Sequence, residues 1–202
     1  MKDSTKKIFD GLFSSYADLK GVEREIIPAY DILVKCYEKG KKTLLCGNGG
    51  SAADCEHIVG EFMKDFKFKR PLAKPVAGLP GLQAALRSIS LVSQTSLITA
   101  VANDIGENCI FAQQVWGYAD AGDVLIALST SGNAENVCNA VAAARAKKCK
   151  TIAITGRNGG TLGKVCHCAI KLPADETYMV QEFTLPVYHA LCAAVENEFF
   201  GD

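Results

Sequence analysis

The chain has 202 residues, of which 49% are hydrophobic and 22% charged. That is enough apolar material for one self-supporting core, and it excludes a disordered or fibrous chain. Lys plus Arg and Asp plus Glu number 22 each, so the balanced charge argues against a general nucleic-acid binder, and no apolar run reaches the length of a membrane span.

The start, Met1-Lys2-Asp3-Ser4-Thr5-Lys6-Lys7, leads into no apolar run of the secretory type. The nine cysteines form no CxxC pair, and an odd, scattered set reads as buried thiols of a reducing, cytoplasmic compartment. Within Cys166-His167-Cys168, strand alternation is expected to put both thiols on one face and the imidazole on the other.

Residues 4–39 read as two helices. Ile8, Leu12, Tyr16 and Leu19 recur at helical spacing, as do Ile27, Tyr30, Leu33 and Tyr37, with a stop at Gly40 and with Pro28 at a first turn or kink. Their apolar stripes have no sheet of their own to cover, which suits an interface between copies. Strand and helix then alternate: a strand at 43–46, a helix at 51–65, a Pro/Gly-rich loop at 66–81, a strand at 88–92, helices at 94–103 and 107–119, a strand at 123–128, a helix at 134–148, strands at 151–155 and 166–172, and a last helix at 179–199. This order implies parallel strands joined by right-handed crossovers. Continuous apolar runs such as Val124–Leu128 imply cover on both faces. The fold expected is a three-layer α/β/α sandwich with a five-stranded parallel sheet and a helical N-terminal segment.

In such sheets ligands sit beyond the carboxyl ends of the strands, which points to three loops. Gly47-Asn48-Gly49-Gly50-Ser51 opens a helix, where glycines allow close approach and free N–H groups favour an anion. It lacks the Gly-Lys-Ser/Thr of a Walker A loop. Gly47-x-Gly49-x-x-Ala52 satisfies a loose dinucleotide fingerprint, but the acidic residue that would hold a ribose is replaced by Lys67-Phe68-Lys69-Arg70-Pro71, so a sugar-phosphate contact is the better reading. Ser129-Thr130-Ser131-Gly132-Asn133 places hydroxyls and an amide at a second strand end; one capping Ser or Asn would explain less than this cluster. Gly156-Arg157-Asn158-Gly159-Gly160 reads as a turn.

Taken together these residues resemble the sugar isomerase (SIS) superfamily, and within it the phosphoheptose isomerases. The resemblance is carried by the GNGGS loop followed by His57-x-x-x-Glu61, by Asn103-Asp104, by Ser129–Asn133, and by Gln181-Glu182 with His189. It spans nearly the whole chain and implies one SIS domain over 1–202 with flavodoxin-like strand order. It also implies a homotetramer with 1–40 at its interface. The activity implied is an aldose–ketose isomerisation of sedoheptulose 7-phosphate to D-glycero-D-manno-heptose 7-phosphate through an enediol. Substrate contacts implied are Asn48, Gly49, Gly50, Ser51, Glu61, Asn103, Asp104, Ser129, Thr130, Ser131, Ala134 and Gln181.

The residue chemistry is consistent with that activity. Moving a proton between C1 and C2 needs a carboxylate-type base and a donor to the carbonyl oxygen, and a grip on the distal phosphate to position the reacting end. His57 and Glu61, four apart, share a helix face; Glu61 is the candidate base and His189 the candidate acid. Some members of the family bind a divalent metal, usually zinc, at the positions of His57, Glu61, Gln181 and His189, a donor set suited to that ion. Gln181 and His189 lie about 12 Å apart along a straight helix, with Pro186 as a possible kink between them.

The chain departs from the family at Ala134, where a third serine is common, and at Tyr178, where an acid is usual. Its segment 66–87 is long and carries Lys67, Lys69, Arg70 and Lys74, for which a solvated face is the default expectation and a lid or an oligomer contact the alternatives. Two other functions compete with the leading one. One is a non-catalytic SIS adaptor of the type that associates with a replication initiator; Glu61 and His189 argue against it, since an adaptor needs neither. The other is an isomerase or sensor of another sugar phosphate.

Overall fold

The computed structural model describes residues 1–201, and its elements follow the expected alternation. Helix α1 (Asp3–Ser15) and α2 (Glu23–Glu38) are joined by a 3-10 turn, Ala17–Val22. Strand β1 (Thr43–Cys46) leads to α3 (Gly50–Met63), and a long excursion ends in β2 (Ser88–Ser90). Then come α4 (Thr95–Asp104), α5 (Ile110–Tyr118), β3 (Val124–Leu128), α6 (Glu135–Ala146), β4 (Lys150–Thr155), a short α7 (Leu162–Val165), β5 (Cys168–Lys171) and α8 (Thr177–Phe200).

The sheet is parallel throughout, in the order β2-β1-β3-β4-β5. Its central register sets Leu45 beside Ile126 and Ile126 beside Ile152. Side chains then alternate between two apolar layers. Leu45, Ile126, Leu128, Ile154 and Ile170 face the layer built by α1, α2, α3 and α8. Leu44, Cys46, Leu125, Ala127 and Ala153 face the layer of α5 and α6.

Several sequence expectations change. The N-terminal helices do have a sheet to cover: α2 packs on β5 and β3, where the Glu25 carboxylate accepts from the Lys171 N–H and the Glu25 carbonyl from Cys168 Sγ. Of their stripes, Leu12, Leu19, Tyr30, Leu33 and Tyr37 are therefore core of this chain and Ile8 and Ile27 pack against it, while Tyr16 is exposed. Pro28, read as a first turn or a kink, is the sixth residue of α2, which continues through it. The strand expected from 166 begins only at Cys168, since α7 runs to Val165 and Cys166 closes it. The two thiols thus do not share a strand face, and His167 Nδ1 instead meets Thr151 Oγ1 at 3.0 Å. The nine cysteines are all unbridged.

The solvated-face expectation for the basic excursion fails at Arg70. Its side chain is fully buried, with Nε donating to Glu196 at 2.7 Å and its other nitrogens to the carbonyls of Phe62 (2.7 Å) and Glu61 (3.0 Å). The Glu196 carboxylate also accepts the backbone N–H groups of Phe66, Lys67 and Phe68. One buried ion pair therefore ties the end of α3 and the start of the excursion to α8, and its remaining hydrogen-bonding capacity is taken up by main chain. No helix among the described residues is long and apolar enough to cross a membrane.

Candidate active site

A cavity of about 340 Å³ opens at the carboxyl ends of β1 and β3. It is lined by Asn48, Gly49, Gly50, Ser51, Leu128, Ser129, Thr130, Ser131, Ala134, Thr177 and Gln181. Gly49 runs at φ +57°, which only glycine adopts freely. Gly50 lets Gln181 close on the loop: a Cβ there would lie 2.5 Å from Gln181 Nε2, so the amide at the end of that side chain would have to swing aside.

Neither α3 nor α6 has a side-chain cap at its N-terminus. The Ser51 and Ala52 N–H groups of α3 donate to the Asn48 and Gly49 carbonyls, and the hydroxyl residues Ser51, Ser129, Thr130 and Ser131 line, with the two helix starts, one space that suits a phosphate. The capping explanation for the second loop therefore does not hold here. Asn133 is occupied elsewhere: its Oδ1 accepts from Thr161 N at 2.9 Å and Oγ1 at 3.0 Å. The third loop is thus more than a turn. It buttresses the second so closely that a Cβ on Gly132 would collide with the Gly159 carbonyl. Asn48 is latched to α6 by reciprocal amide hydrogen bonds with Asn136, at 2.9 and 3.0 Å.

Further along α3, two turns past the cradle, His57 and Glu61 meet His189 of α8. His57 Nε2 lies 3.2 Å from Glu61 Oε1 and 3.4 Å from His189 Nε2. Glu61 is buried and its second oxygen accepts from Lys64 Nζ at 3.1 Å. Burial, followed by the neighbouring His57, holds the His189 imidazole below its ordinary range against the opposing pull of Glu61, so it is uncharged at neutral pH. The Phe66 ring lies against His189 at a centroid distance of 5.5 Å. The Arg70–Glu196 pair fixes this segment and, through the Glu61 carbonyl, the end of α3.

The structure thus brings Asn48, Gly49, Gly50, Ser51, Ser129, Thr130, Ser131, Ala134 and Gln181 to one cavity, and His57, Glu61 and His189 to one cluster. Asn103 and Asp104 are placed elsewhere, exposed at the end of α4 and hydrogen-bonded to each other at 2.7 Å. Gln181 packs at Gly50, two turns before His189 on an unbroken α8 that contains Pro186. Sequence reasoning missed Tyr188, whose hydroxyl is 2.8 Å from His57 Nδ1, and also Lys64, Phe66 and Thr177. Tyr188 neighbours His189 in the sequence, but its direction depends on how α8 meets α3.

A zinc site with bonds of about 2.0–2.1 Å at tetrahedral angles separates neighbouring donors by about 3.3–3.4 Å. The two separations at His57 match that edge length. Among the described residues no group of three or more His, Cys, Asp or Glu is arranged to hold a metal ion, so the two imidazoles and the carboxylate offer donor chemistry suited to zinc but, as placed, not its geometry.

A glycine loop and a hydroxyl loop converging at the carboxyl end of a parallel sheet define a phosphosugar-binding α/β protein of the SIS type, and the SIS domain family model matches residues 17–156. The chain belongs to the phosphoheptose isomerase family within it. It is 36% identical to the phosphoheptose isomerase of Sulfurimonas denitrificans over 202 residues, covering 100% of this chain and 96% of that one. It is 41% identical over 169 residues to phosphoheptose isomerase 2 of Campylobacter jejuni, covering 84% and 78%. Among solved structures, a phosphoheptose isomerase from Francisella tularensis superposes with a TM-score of 0.79 at 28% identity, covering 98% of this chain and 100% of that one. The enzyme from Neisseria gonorrhoeae gives 0.75 at 30%, covering 93% and 94%.

Proposed function

We propose that this chain interconverts sedoheptulose 7-phosphate and D-glycero-D-manno-heptose 7-phosphate. The observation that carries the reading is that one helix, α3, supplies both ends of the site: its N-terminus and preceding loop form the cradle, and His57 and Glu61 lie on its later turns. His57 lies about 9 Å from Ser51 along that helix, a span that an extended seven-carbon phosphate ester bridges. The cradle holds the phosphate through hydroxyls and helix N–H groups, and this remote binding positions C1 and C2 at the cluster. Glu61 removes the C1 proton of the ketose and returns a proton to C2. The hydroxyl proton passes from O1 to O2, with His189 serving the oxygens. Retention of this cluster beside the cradle favours an enzyme over an adaptor.

His57, Glu61 and His189 would hold a divalent metal, with zinc suited to the donor set; Gln181 as a fourth ligand requires α8 to shift or turn its side chain from Gly50. When bound, the metal would polarise the substrate oxygens. The assembly we propose is a homotetramer. An apolar groove of about 480 Å³ between α1 and α8, lined by Ile8, Leu12, Tyr16, Pro186 and Ala190 among others, reaches His189. It offers a face for another copy that includes Ile8, Leu12 and Tyr16 of the α1 stripe. Free cysteines throughout fit a cytoplasmic setting.

The test is incubation of the protein with sedoheptulose 7-phosphate, with and without zinc, followed by NMR of the products. Appearance of the aldose supports the reading. Turnover of a different sugar phosphate only, or none with a folded, metal-supplied protein, contradicts it.

A further inference from the structure

His167 takes no part in the site at the carboxyl ends of the strands. It lies at their amino ends, where another cavity, of about 240 Å³, is lined by Arg145, Lys148, Cys149, Lys150 and His167. Arg145 is in the last turn of α6, Lys150 opens β4, and His167 immediately precedes β5. Among the described residues none of the three cations is paired with a carboxylate. Asp120, whose carbonyl accepts from Cys149 Sγ, and Asp123 both hold Lys42 instead. Arg145 uses one guanidinium nitrogen on the Val165 carbonyl, at 2.6 Å, and keeps its other donors.

His167 adds a donor whose identity the backbone fixes. Its Nδ1 lies 3.2 Å from the Thr151 main-chain nitrogen, which can only donate. Nδ1 is therefore bare, and the one ring proton sits on Nε2. The Thr151 hydroxyl accepts from the His167 N–H at 3.1 Å and lies 3.0 Å from the same Nδ1, so its own proton is available there too. The cavity thus presents a guanidinium, two ammonium groups and an imidazole N–H. Basic residues suit a helix C-terminus, which accounts for Arg145 but not for Lys150 or His167, outside α6. Lys148 stands at φ +60°, the one non-glycine residue with positive φ among the described residues, at a helix end where glycine is the usual occupant. Lysine there brings to the cavity a charge that glycine would lack.

We propose that this cavity binds a free phosphate or pyrophosphate anion, apart from the substrate cradle. The planar guanidinium suits a phosphate oxygen pair, and the volume falls below the roughly 300–1,000 Å³ of sites for larger ligands. β4 rises about 17 Å from Lys150 to Thr155, so an anion in the cradle leaves His167 untouched.

The experiment is ring-nitrogen NMR of the 15N-histidine-labelled protein at about pH 8, where an ordinary imidazole is neutral. The chain has three histidines, and His167 is assigned by the signals lost in His167→Gln. The parent should show His167 with Nε2–H and a bare Nδ1. Its signals should move saturably with inorganic phosphate or pyrophosphate and stay in place with sodium chloride at matched ionic strength. In the double change Lys148→Gly, Lys150→Gln, saturation should need about tenfold more anion; glycine at 148 suits the backbone there. An Nδ1–H tautomer, a shift that chloride reproduces, or no shift with either anion overturns the site, and none of these needs a variant to fold. Unchanged affinity in the folded double variant overturns it as well. Movement of His167 with a single-stranded oligonucleotide but with neither small anion also overturns it, in favour of a surface for a polyanion.

Discussion

The cradle and the His57–Glu61–His189 cluster are built by different means. The cradle is largely main chain: glycines at Gly49 and Gly50, two uncapped helix starts and a few short hydroxyls. The cluster is made of side chains, brought together only because α3 and α8 pack with particular faces inward. A main-chain device depends on local sequence and tolerates loss of a single side chain. A side-chain device depends on tertiary packing and fails when one member goes. Binding and chemistry should therefore respond to mutation in separable ways.

The largest effect is expected at the chemical end. Glu61→Gln keeps the shape and removes the base, and kcat should fall by about 10²–10⁴ with KM within a few-fold, as steady-state kinetics would read. His189→Ala should behave similarly. The buried support comes next. Arg70→Met leaves Glu196 buried without its charge partner, which costs about 3–5 kcal/mol. Denaturant unfolding should show that loss, and a variant as stable as the parent would mean the pair does not hold the excursion as described.

At the cradle, the double change Ser129→Ala, Ser131→Ala removes two hydroxyls but leaves the helix N–H groups. Hydrogen bonds to a charged group are worth about 1.5–3 kcal/mol each, so losing two should raise KM by about 10²–10⁴-fold while kcat changes little. Unchanged kinetics would place the phosphate elsewhere. The smallest effect should come from Asn48→Ala, which breaks the exposed latch to Asn136. About 0.5–1.5 kcal/mol should appear as a severalfold rise in KM.

The same contrast explains what could be read in the sequence. The parallel sheet and the first two loops were legible because each rests on local signals: apolar runs, glycines at strand ends, and alternation with helices; the strand order came only with the resemblance to the SIS family. The cradle residues came with them. His57 and Glu61 were legible as an i, i+4 pair. Arg70 was not, because a Lys/Arg-rich segment looks solvated until Glu196, 126 positions later, is brought beside it. That the N-terminal helices have a sheet to cover was not legible for the same reason, since only the packed chain shows α2 lying over β3 and β5. Tyr188 carries no motif, and its hydrogen bond to His57 arises from helix packing.

The most direct test of the two-part site is titration of Glu61→Gln with sedoheptulose 7-phosphate, followed by calorimetry for binding and NMR for products. The variant should bind the ketose phosphate with an affinity within a few-fold of the parent KM and form essentially no aldose. A Glu61→Gln protein that no longer binds, or one that turns over near the parent rate, would contradict the division of labour between cradle and cluster.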